Sequence, residues 1–325
     1  MKTALITGAA GLVGRHMADA LLSHGYTNVW GFDIQRDPAE DVRMIGHPAF
    51  PRLWPDGHVF DLVAHCAYQV GGRATIDGVP MALAHNLAAD AALFEWALTT
   101  GQRRVLYFSS SAAYPVRLQT QEYVEARRAW LAGKGVGDLG SHLQLYEHAI
   151  NLTQWGKTGD WSPDANYGWA KLTGEKLAQA AAAGGLPVHV VRPFSGYGED
   201  QGVEYPFPAL LRKVLDSGAM DKLQPIEVWG SVDQVRDWIH IDDVVGGALA
   251  VVEQDVREPV NLCTGHGMSM EAVVRAMWFL AWPEKPFPGL LVDVSKPMGV
   301  FWRVGSPERL EKIYTRRVSL LDGIG

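Results

Sequence analysis

Cysteine is scarce. Cys66 and Cys263 are the only two in 325 residues, and they form no CxxC pair. That argues against a disulfide framework and against a structural zinc site; no metal is expected, and a reducing, cytoplasmic setting fits. Basic charge is short too. There are 29 Lys and Arg against 36 Asp and Glu, for a formal net charge of -7. Such a chain is a poor match for a nucleic-acid backbone. Anionic small ligands stay open, because a helix N-terminus or a few arginines can hold a phosphate inside an acidic protein. No apolar run is long enough to span a bilayer, and glycines break "MKTALITGAAGLVG" too early for a signal peptide. Internal repeats and low-complexity tracts are also missing.

What is present is β/α alternation. Lys2–Thr7 reads as a short buried strand, and an apolar-periodic helix follows near Leu12 to Ser23. "NVWGFDI", "DLVAHCA", "RRVLYFSSS" and "VHVVRPF" read as further strands. Helices near Met81 to Thr100 and Tyr167 to Ala183 fill the intervals. The alternation predicts an α/β fold: a Rossmann doubly wound parallel sheet covered on both faces. Past residue 195 prolines and tryptophans become frequent and elements shorten. Residues 1–194 are therefore read mainly as the nucleotide-binding domain. Residues 195–325 are read mainly as a smaller C-terminal substrate-binding lobe, with Rossmann elements returning at about 230–262. Within the long segment 116–160, "EYVEARRAWLAG" reads as a helix.

"GAAGLVG" places Gly8, Gly11 and Gly14 between a strand and a helix. The first glycine allows the tight turn, the second a close backbone approach to a pyrophosphate, and the third helix-on-strand packing. The helix start at Leu12 and Val13 offers free N–H groups to phosphate. Asp33, with Ile34 beside it, ends the second strand roughly 20 residues on, where a carboxylate accepts a ribose 2′-OH and repels a 2′-phosphate. NAD is thus favoured over NADP. Arg36 reads as a solvated loop charge.

"ANYGWAKLTGEKLA" sets Tyr167 and Lys171 four residues apart, on one helix face. A phenol is a poor base at its reference pKa of about 10, and a nearby ammonium lowers it. The pair suits removal of a hydroxyl proton from a carbon that gives up hydride.

Together, "GAAGLVG", "SSSAAYP", YxxxK, "VRPFSGYG" and "VWGSVDQVRDWIHIDDVV" resemble the extended short-chain dehydrogenase/reductase family, and more narrowly its nucleotide-sugar epimerase/dehydratase branch. The resemblance runs nearly end to end, with "SLLDGI" similar to the family's closing helix. It implies Tyr167 as catalytic acid or base, Lys171 as its partner, and Ser110, four residues before Tyr114, as the serine bonded to the reacting hydroxyl. It sets Ala67, Ser109, Pro193 and Phe194 by the cofactor. Ser111, Ser195, Arg236 and Arg303 fall on the substrate side, the two arginines gripping a nucleotide-sugar diphosphate. The plainer reading of Ser109 and Ser111 is of strand-end serines satisfying backbone. Asp242 and Asp243 read as helix N-caps. Ser195 replaces the family's usual asparagine. A homodimer through the helices near Met81–Thr100 and Tyr167–Ala183 is implied as well.

Where the family's dehydratases, decarboxylases and 3,5-epimerases carry an extra acid, base or cysteine after the catalytic serine, this chain has Ser111 and Ala112. Alanine transfers no proton. Tyr, Lys, Ser and NAD remain, and they suffice for reversible hydride transfer, so 4-epimerisation is the first expectation. A 3,5-epimerase, a dehydratase and a dehydrogenase/reductase are the alternatives within the family. "AYQVGGR" and "SSSAAYP" also resemble the GDP-mannose 3,5-epimerase and GDP-fucose synthase subgroup. Glu204, His142, His148 and Cys66 are candidate extra acids or bases. A non-catalytic NAD(H)-binding regulatory protein is the reading from a different class.

Overall fold

The computed structural model describes residues 1–33, 43–44, 57–70, 81–151 and 161–325. Seven parallel strands form its main sheet: β1 (Lys2–Thr7), β2 (Tyr26–Phe32), β3 (Arg43–Met44), β4 (Leu62–His65), β5 (Val105–Phe108), β6 (Val188–Pro193) and β10 (Val260–Leu262). Their spatial order is β10-β6-β5-β4-β1-β2-β3. The order reverses between β1 and β4, and in doubly wound sheets the ligand crevice opens at such a switch point, beyond the carboxyl ends of the strands.

Period-2 alternation along β1 sends Ala4 and Ile6 to one face and Leu5 to the other. On the first face, helices α1 (Leu12–Ser23) and α6 (Ile241–Glu253) bury Met17, Leu21, Val245, Leu249 and Val252. On the second, α2 (Ala82–Thr99) and α4 (Ala165–Ala183) bury Leu93, Phe94, Ala97, Ala178 and Ala181. A separate apolar cluster joins α5 (Pro206–Ala219), α7 (Met270–Ala281) and β8 (Ile226–Trp229) through Phe207, Val214, Val228, Val273 and Trp278. β8 pairs in parallel with β12 (Leu290–Asp293). Beside them, β9 (Val235–His240) pairs with β7 (Ser195–Tyr197), β11 (Gly267–Ser269) and β13 (Trp302–Arg303).

The 116–160 segment does carry a helix, α3 (Gln121–Gly133), capped by the Thr120 hydroxyl on the Tyr123 N–H. Its buried Val124 packs with Leu143, Trp302 and Val304, so α3 lies against β13. Two local expectations fail. The residues 319–324 make a single turn rather than a closing helix, with Gly323 N–H on Ser319 O at 3.0 Å and Ile324 N–H on Leu320 O at 3.1 Å. So short a stretch cannot repay helix nucleation, and Leu320 and Ile324 are held by packing on the α5–α7 cluster instead. Asp242 and Asp243 are not caps either. His240 caps α6, its ring accepting from the Asp242 N–H at 3.3 Å. Asp243 is buried and takes the Tyr314 hydroxyl and the N–H groups of Arg317 and Val318, tying the C-terminal tail to α6.

Among the described residues, no helix is long and apolar enough to cross a membrane.

Candidate active site

The glycine loop joins β1 to α1 at the switch point. Gly8 has φ +73°, and a Cβ there would come within 2.6 Å of the Ala67 N. A Cβ on Gly14 would lie 2.1 Å from the Gly8 carbonyl oxygen. Both positions therefore demand glycine for reasons of space, and Gly8 also for its left-handed backbone. Gly11 caps α1 with extended backbone and no side-chain hydrogen bond, so no side chain competes for the amides of Leu12 and Val13. The Asp33 carboxylate, just past β2, accepts the Ala10 N–H at 2.9 Å and thus stands against this loop. Glycine turn, helix start and carboxylate together fit a dinucleotide: anionic phosphates over the amides, a ribose at Asp33. Ile34 and Arg36 lie outside the described residues. Ala67 follows β4 directly, its N–H on the Thr7 hydroxyl at 3.3 Å.

The catalytic candidates meet at the carboxyl end of β5. Ser110 leaves the strand with extended backbone, and its Oγ accepts the Ala112 N–H at 3.1 Å. The Ser110 hydroxyl is also near enough to the Tyr167 phenol to lower its pKa. Tyr167 is half-buried in the first turns of α4, and one turn on Lys171 is 97% sequestered, at 3% exposure. The Lys171 Nζ donates to the Phe108 carbonyl at 2.6 Å and lies 6.0 Å from the Tyr167 ring centroid.

Burial dominates the electrostatics. It pushes the Tyr167 phenol up to about 12, against a lowering by Ser110 and by Arg303. It pushes the Lys171 ammonium down to about 7, against the opposing pull of Asp90, Cys66 and Glu175. The direction at Tyr167 is opposite to the one expected from a Tyr–Lys pair alone, because desolvation of the phenolate outweighs the nearby positive charge.

Below this pair lies a buried polar lattice that the sequence reading missed. Glu175 is one turn past Lys171 on the same face of α4. It forms a two-point ion pair with Arg192 of β6, Nε to Oε1 at 2.8 Å and Nη2 to Oε2 at 2.7 Å. Ser109 donates to the same Oε1 at 2.5 Å. Arg192 Nη1 also reaches the Tyr114 hydroxyl at 3.1 Å, and Tyr114 donates to Asn261 Oδ1 at 2.7 Å. The serine loop, the catalytic helix and two strands are thereby locked together. Ser109 is a buried serine bonded to Glu175, and Ser111 is buried behind Ser110. The spacing Tyr167–Lys171–Glu175 was the available signal for Glu175; nothing local marked Arg192.

Arg236 and Arg303 occupy facing positions on adjacent parallel strands, β9 and β13. Arg236 bonds Gln234 Oε1 at 2.9 Å and the Val235 carbonyl at 2.8 Å. Arg303 bonds Gln119 Oε1 at 2.7 Å and Asp164 Oδ2 at 2.9 Å, Asp164 being the residue before α4. Behind Arg236, buried Asp237 takes the Thr264 hydroxyl and the N–H groups of Thr264, Gly265 and Gly305, which fixes β9 against its neighbouring turns. Ser195 starts β7 opposite Trp238. Pro193 ends β6, and Phe194 is buried with Tyr114, Leu145 and Cys263. Of the extra acid/base candidates, Glu204, His142 and His148 are exposed. Cys66 sits near Lys171, its thiol pushed up to about 12 by burial.

A model of the NAD dependent epimerase/dehydratase family matches residues 4–130 and 144–263. Among curated proteins, an uncharacterized UDP-glucose epimerase, YtcB of Bacillus subtilis, is 25% identical over 83% of this chain and 79% of its own length. A putative GDP-L-fucose synthase of Arabidopsis thaliana is 25% identical over 98% of this chain and 88% of its own. Among solved structures, MoeE5 in complex with UDP-glucuronic acid and NAD superposes with a TM-score of 0.75 at 24% identity, covering 99% of this chain and 96% of that one. The UDP-glucose 4-epimerase of Thermotoga maritima does so with the same score at 19% identity and the same coverage. The structural likenesses speak for the fold; the family match spans well over half of the sequence, and the chain belongs to the NAD dependent epimerase/dehydratase family.

Proposed function

We propose that this protein is an NAD-dependent nucleotide-sugar epimerase that inverts a sugar carbinol, C4 in the first instance, by reversible hydride transfer. One observation carries the reading. Ser110 stands near enough to the Tyr167 phenol to favour its ionised form, Lys171 is buried one helical turn on, and the residue after Ser111 is the proton-inert Ala112. A site so equipped handles one hydroxyl proton at one oxygen.

The amides of Leu12 and Val13 and the bare backbone at Gly8, Gly11 and Gly14 hold the dinucleotide phosphates, and Asp33 holds the ribose. Ala67, Pro193 and Phe194 stand on the cofactor side. When bound, oxidised NAD supplies the hydride acceptor, and its positive charge favours the phenolate form of a neighbouring tyrosine. Tyr167 Oη takes the proton from the carbinol oxygen and gives it back to that same oxygen once the turned ketone has presented its other face to the returning hydride. Ser110 Oγ orients the reacting oxygen. Below about pH 7 Lys171 carries positive charge beside the pair. Arg236 and Arg303, with Ser195, grip the diphosphate; guanidinium forks match phosphate oxygens. We further propose a homodimer through the outer faces of α2 and α4, where Ala84, Ala88, Leu98 and Trp169 are exposed, and a cytoplasmic location. Light scattering that gives a monomer mass would refute the dimer.

The test is a mass-spectrometric screen with UDP-, GDP-, CDP- and dTDP-sugars, no cofactor added. The expected result is a product of unchanged mass, lost about 10²- to 10⁴-fold in Tyr167→Phe with the fold retained. In heavy water a C4 inversion leaves carbon-bound hydrogen unexchanged, whereas 3,5-epimerisation brings in solvent deuterium. Loss of water or carbon dioxide, or a two-hydrogen change only when NAD or NADH is supplied, would overturn the proposal. A protein whose NAD(H) binding and behaviour are indifferent to Tyr167→Phe would be a sensor.

A further inference from the structure

Tyr68 lies just beyond β4, and its phenol is clamped. It donates to Asp90 Oδ2 at 2.9 Å, and Tyr107 donates to the same oxygen at 2.8 Å. His65 Nε2 meets Asp90 Oδ1 at 2.9 Å, and its Nδ1 meets the Thr7 hydroxyl at 2.6 Å. Asp90 has no exposed surface, yet three donors satisfy it. Space for this cluster is made by Gly174, where a Cβ would sit 1.8 Å from the Tyr107 hydroxyl and 2.3 Å from Asp90 Oδ2. Glycine is disfavoured in mid-helix against alanine, so its presence there is informative.

The ring of Tyr68 faces the catalytic pair. Lys171 Nζ stands 3.1 Å from its centroid, against 5.4 Å from that of Tyr107. The Tyr68 ring also meets the Tyr167 ring edge-on, with centroids 6.0 Å apart at 85°. Among the described residues the buried ammonium thus has the Phe108 carbonyl as its hydrogen-bond partner and the Tyr68 ring as its nearest π face. Among the described residues the ionisable groups around it are Asp90, Cys66 and Glu175, with the phenols of Tyr68, Tyr107 and Tyr167.

We propose that Tyr68 is a positioning residue: clamped by Asp90, its ring is the platform that holds the Lys171 ammonium in place beneath Tyr167 and keeps it charged. The inference rests on the Tyr167–Lys171 reading above. Burial alone drives Lys171 toward the neutral amine. A desolvated cation on an aromatic face gains enough to offset about one pKa unit of that drive.

The test labels the lysine ε-carbons with ¹³C and follows Lys171 by NMR from pH 5 to 10, the signal assigned with Lys171→Met. The wild type is compared with Tyr68→Phe, which keeps the ring, and Tyr68→Leu, which removes it; Tyr68→Met replaces Leu if that variant does not fold. In the aliphatic variant the Lys171 midpoint should fall by about one unit. In Tyr68→Phe, which keeps the π face but loses the Asp90 clamp, it should fall by less than in the aliphatic variant. The high-pH limb of kcat should move down in step, with KM for the sugar nucleotide little changed. A midpoint that is the same in all three proteins, or that falls as far in Phe as in Leu, overturns the proposal. Full turnover in Tyr167→Phe would instead overturn the reading of the pair, while the NMR shift would still report on Tyr68.

Discussion

Lys171→Met tests the electrostatics of the site without any substrate. The folded protein holds this lysine near 7, against 10.5 when free. Below pH 7 the group is charged in both states, and the full cost of burying the ammonium weighs on the fold. Between pH 7 and 10.5 the unfolded chain binds the proton and the folded one does not, so stability rises with pH. The rise is about 1.4 kcal/mol per pH unit, or about 5 kcal/mol over the whole window from 7 to 10.5. Lys171 is only 3% exposed, so solvent screening takes little from this figure. Urea unfolding of wild type and Lys171→Met at half-unit steps from pH 6 to 9 is the assay. Stopping at pH 9 keeps the buried tyrosines protonated in both states. The stability of the wild type relative to the variant should climb by about 2 kcal/mol between pH 7 and 9, the slope being half its full value at pH 7. A flat difference, or one that falls with pH, would refute the assignment of a desolvated, readily deprotonated lysine.

Two further outcomes follow from packing. Gly14→Ala places a methyl group 2.1 Å from the Gly8 carbonyl oxygen, backbone that cannot give way cheaply. We expect a lowered Tm and loss of NAD binding by fluorescence titration; an unaffected titration would detach Gly14 from the cofactor. Glu175→Ala leaves the Arg192 guanidinium buried without its partner and should cost about 3–5 kcal/mol in urea unfolding. The double replacement Glu175→Leu with Arg192→Met should recover a large part of that, since a buried pair stands close to balance with an apolar one; equal losses in single and double variants would contradict this.

The sheet was legible because a parallel strand buried on both faces reads as an apolar run, and because β/α alternation permits few topologies. Tyr167 and Lys171 were legible because helix periodicity puts i and i+4 on one face, and Glu175 at i+8 was open to the same argument. Asp90 was half-legible. It lies on the buried stripe of α2 with Leu93, Phe94 and Ala97, where a carboxylate must find donors. The donors themselves, on β4, β5 and the turn to Tyr68, come from other parts of the chain, and periodicity within one helix does not reach them. Asp243 shows the same limit. Its sequence neighbourhood is that of a capping residue, and its partners, Tyr314 to Val318, lie about seventy residues away, a separation at which no local propensity acts.

The start of α4 ties Arg303 to the helix that carries Tyr167 and Lys171. Ala165 has φ +53°, a left-handed backbone that costs a residue with a Cβ about 1–2 kcal/mol, and it lies two residues before Tyr167. Its neighbour Asp164 is held by Arg303 at 2.9 Å, with both side chains largely buried, at 12% and 14% exposure. The ion pair is thus placed to hold the strained turn, and with it the phenol. Ala165→Gly removes the strain but adds unfolded-state entropy of about 0.5–1 kcal/mol, so the net gain should be up to about 1 kcal/mol in urea unfolding. If the strain aims Tyr167, the more stable variant will have a lower kcat at unchanged KM. Asp164→Ala should lower kcat as well and also raise KM, because it frees the arginine that we assign to the diphosphate. An Ala165→Gly protein less stable than wild type would mean that the turn is not strained, and Asp164 would then serve Arg303 alone.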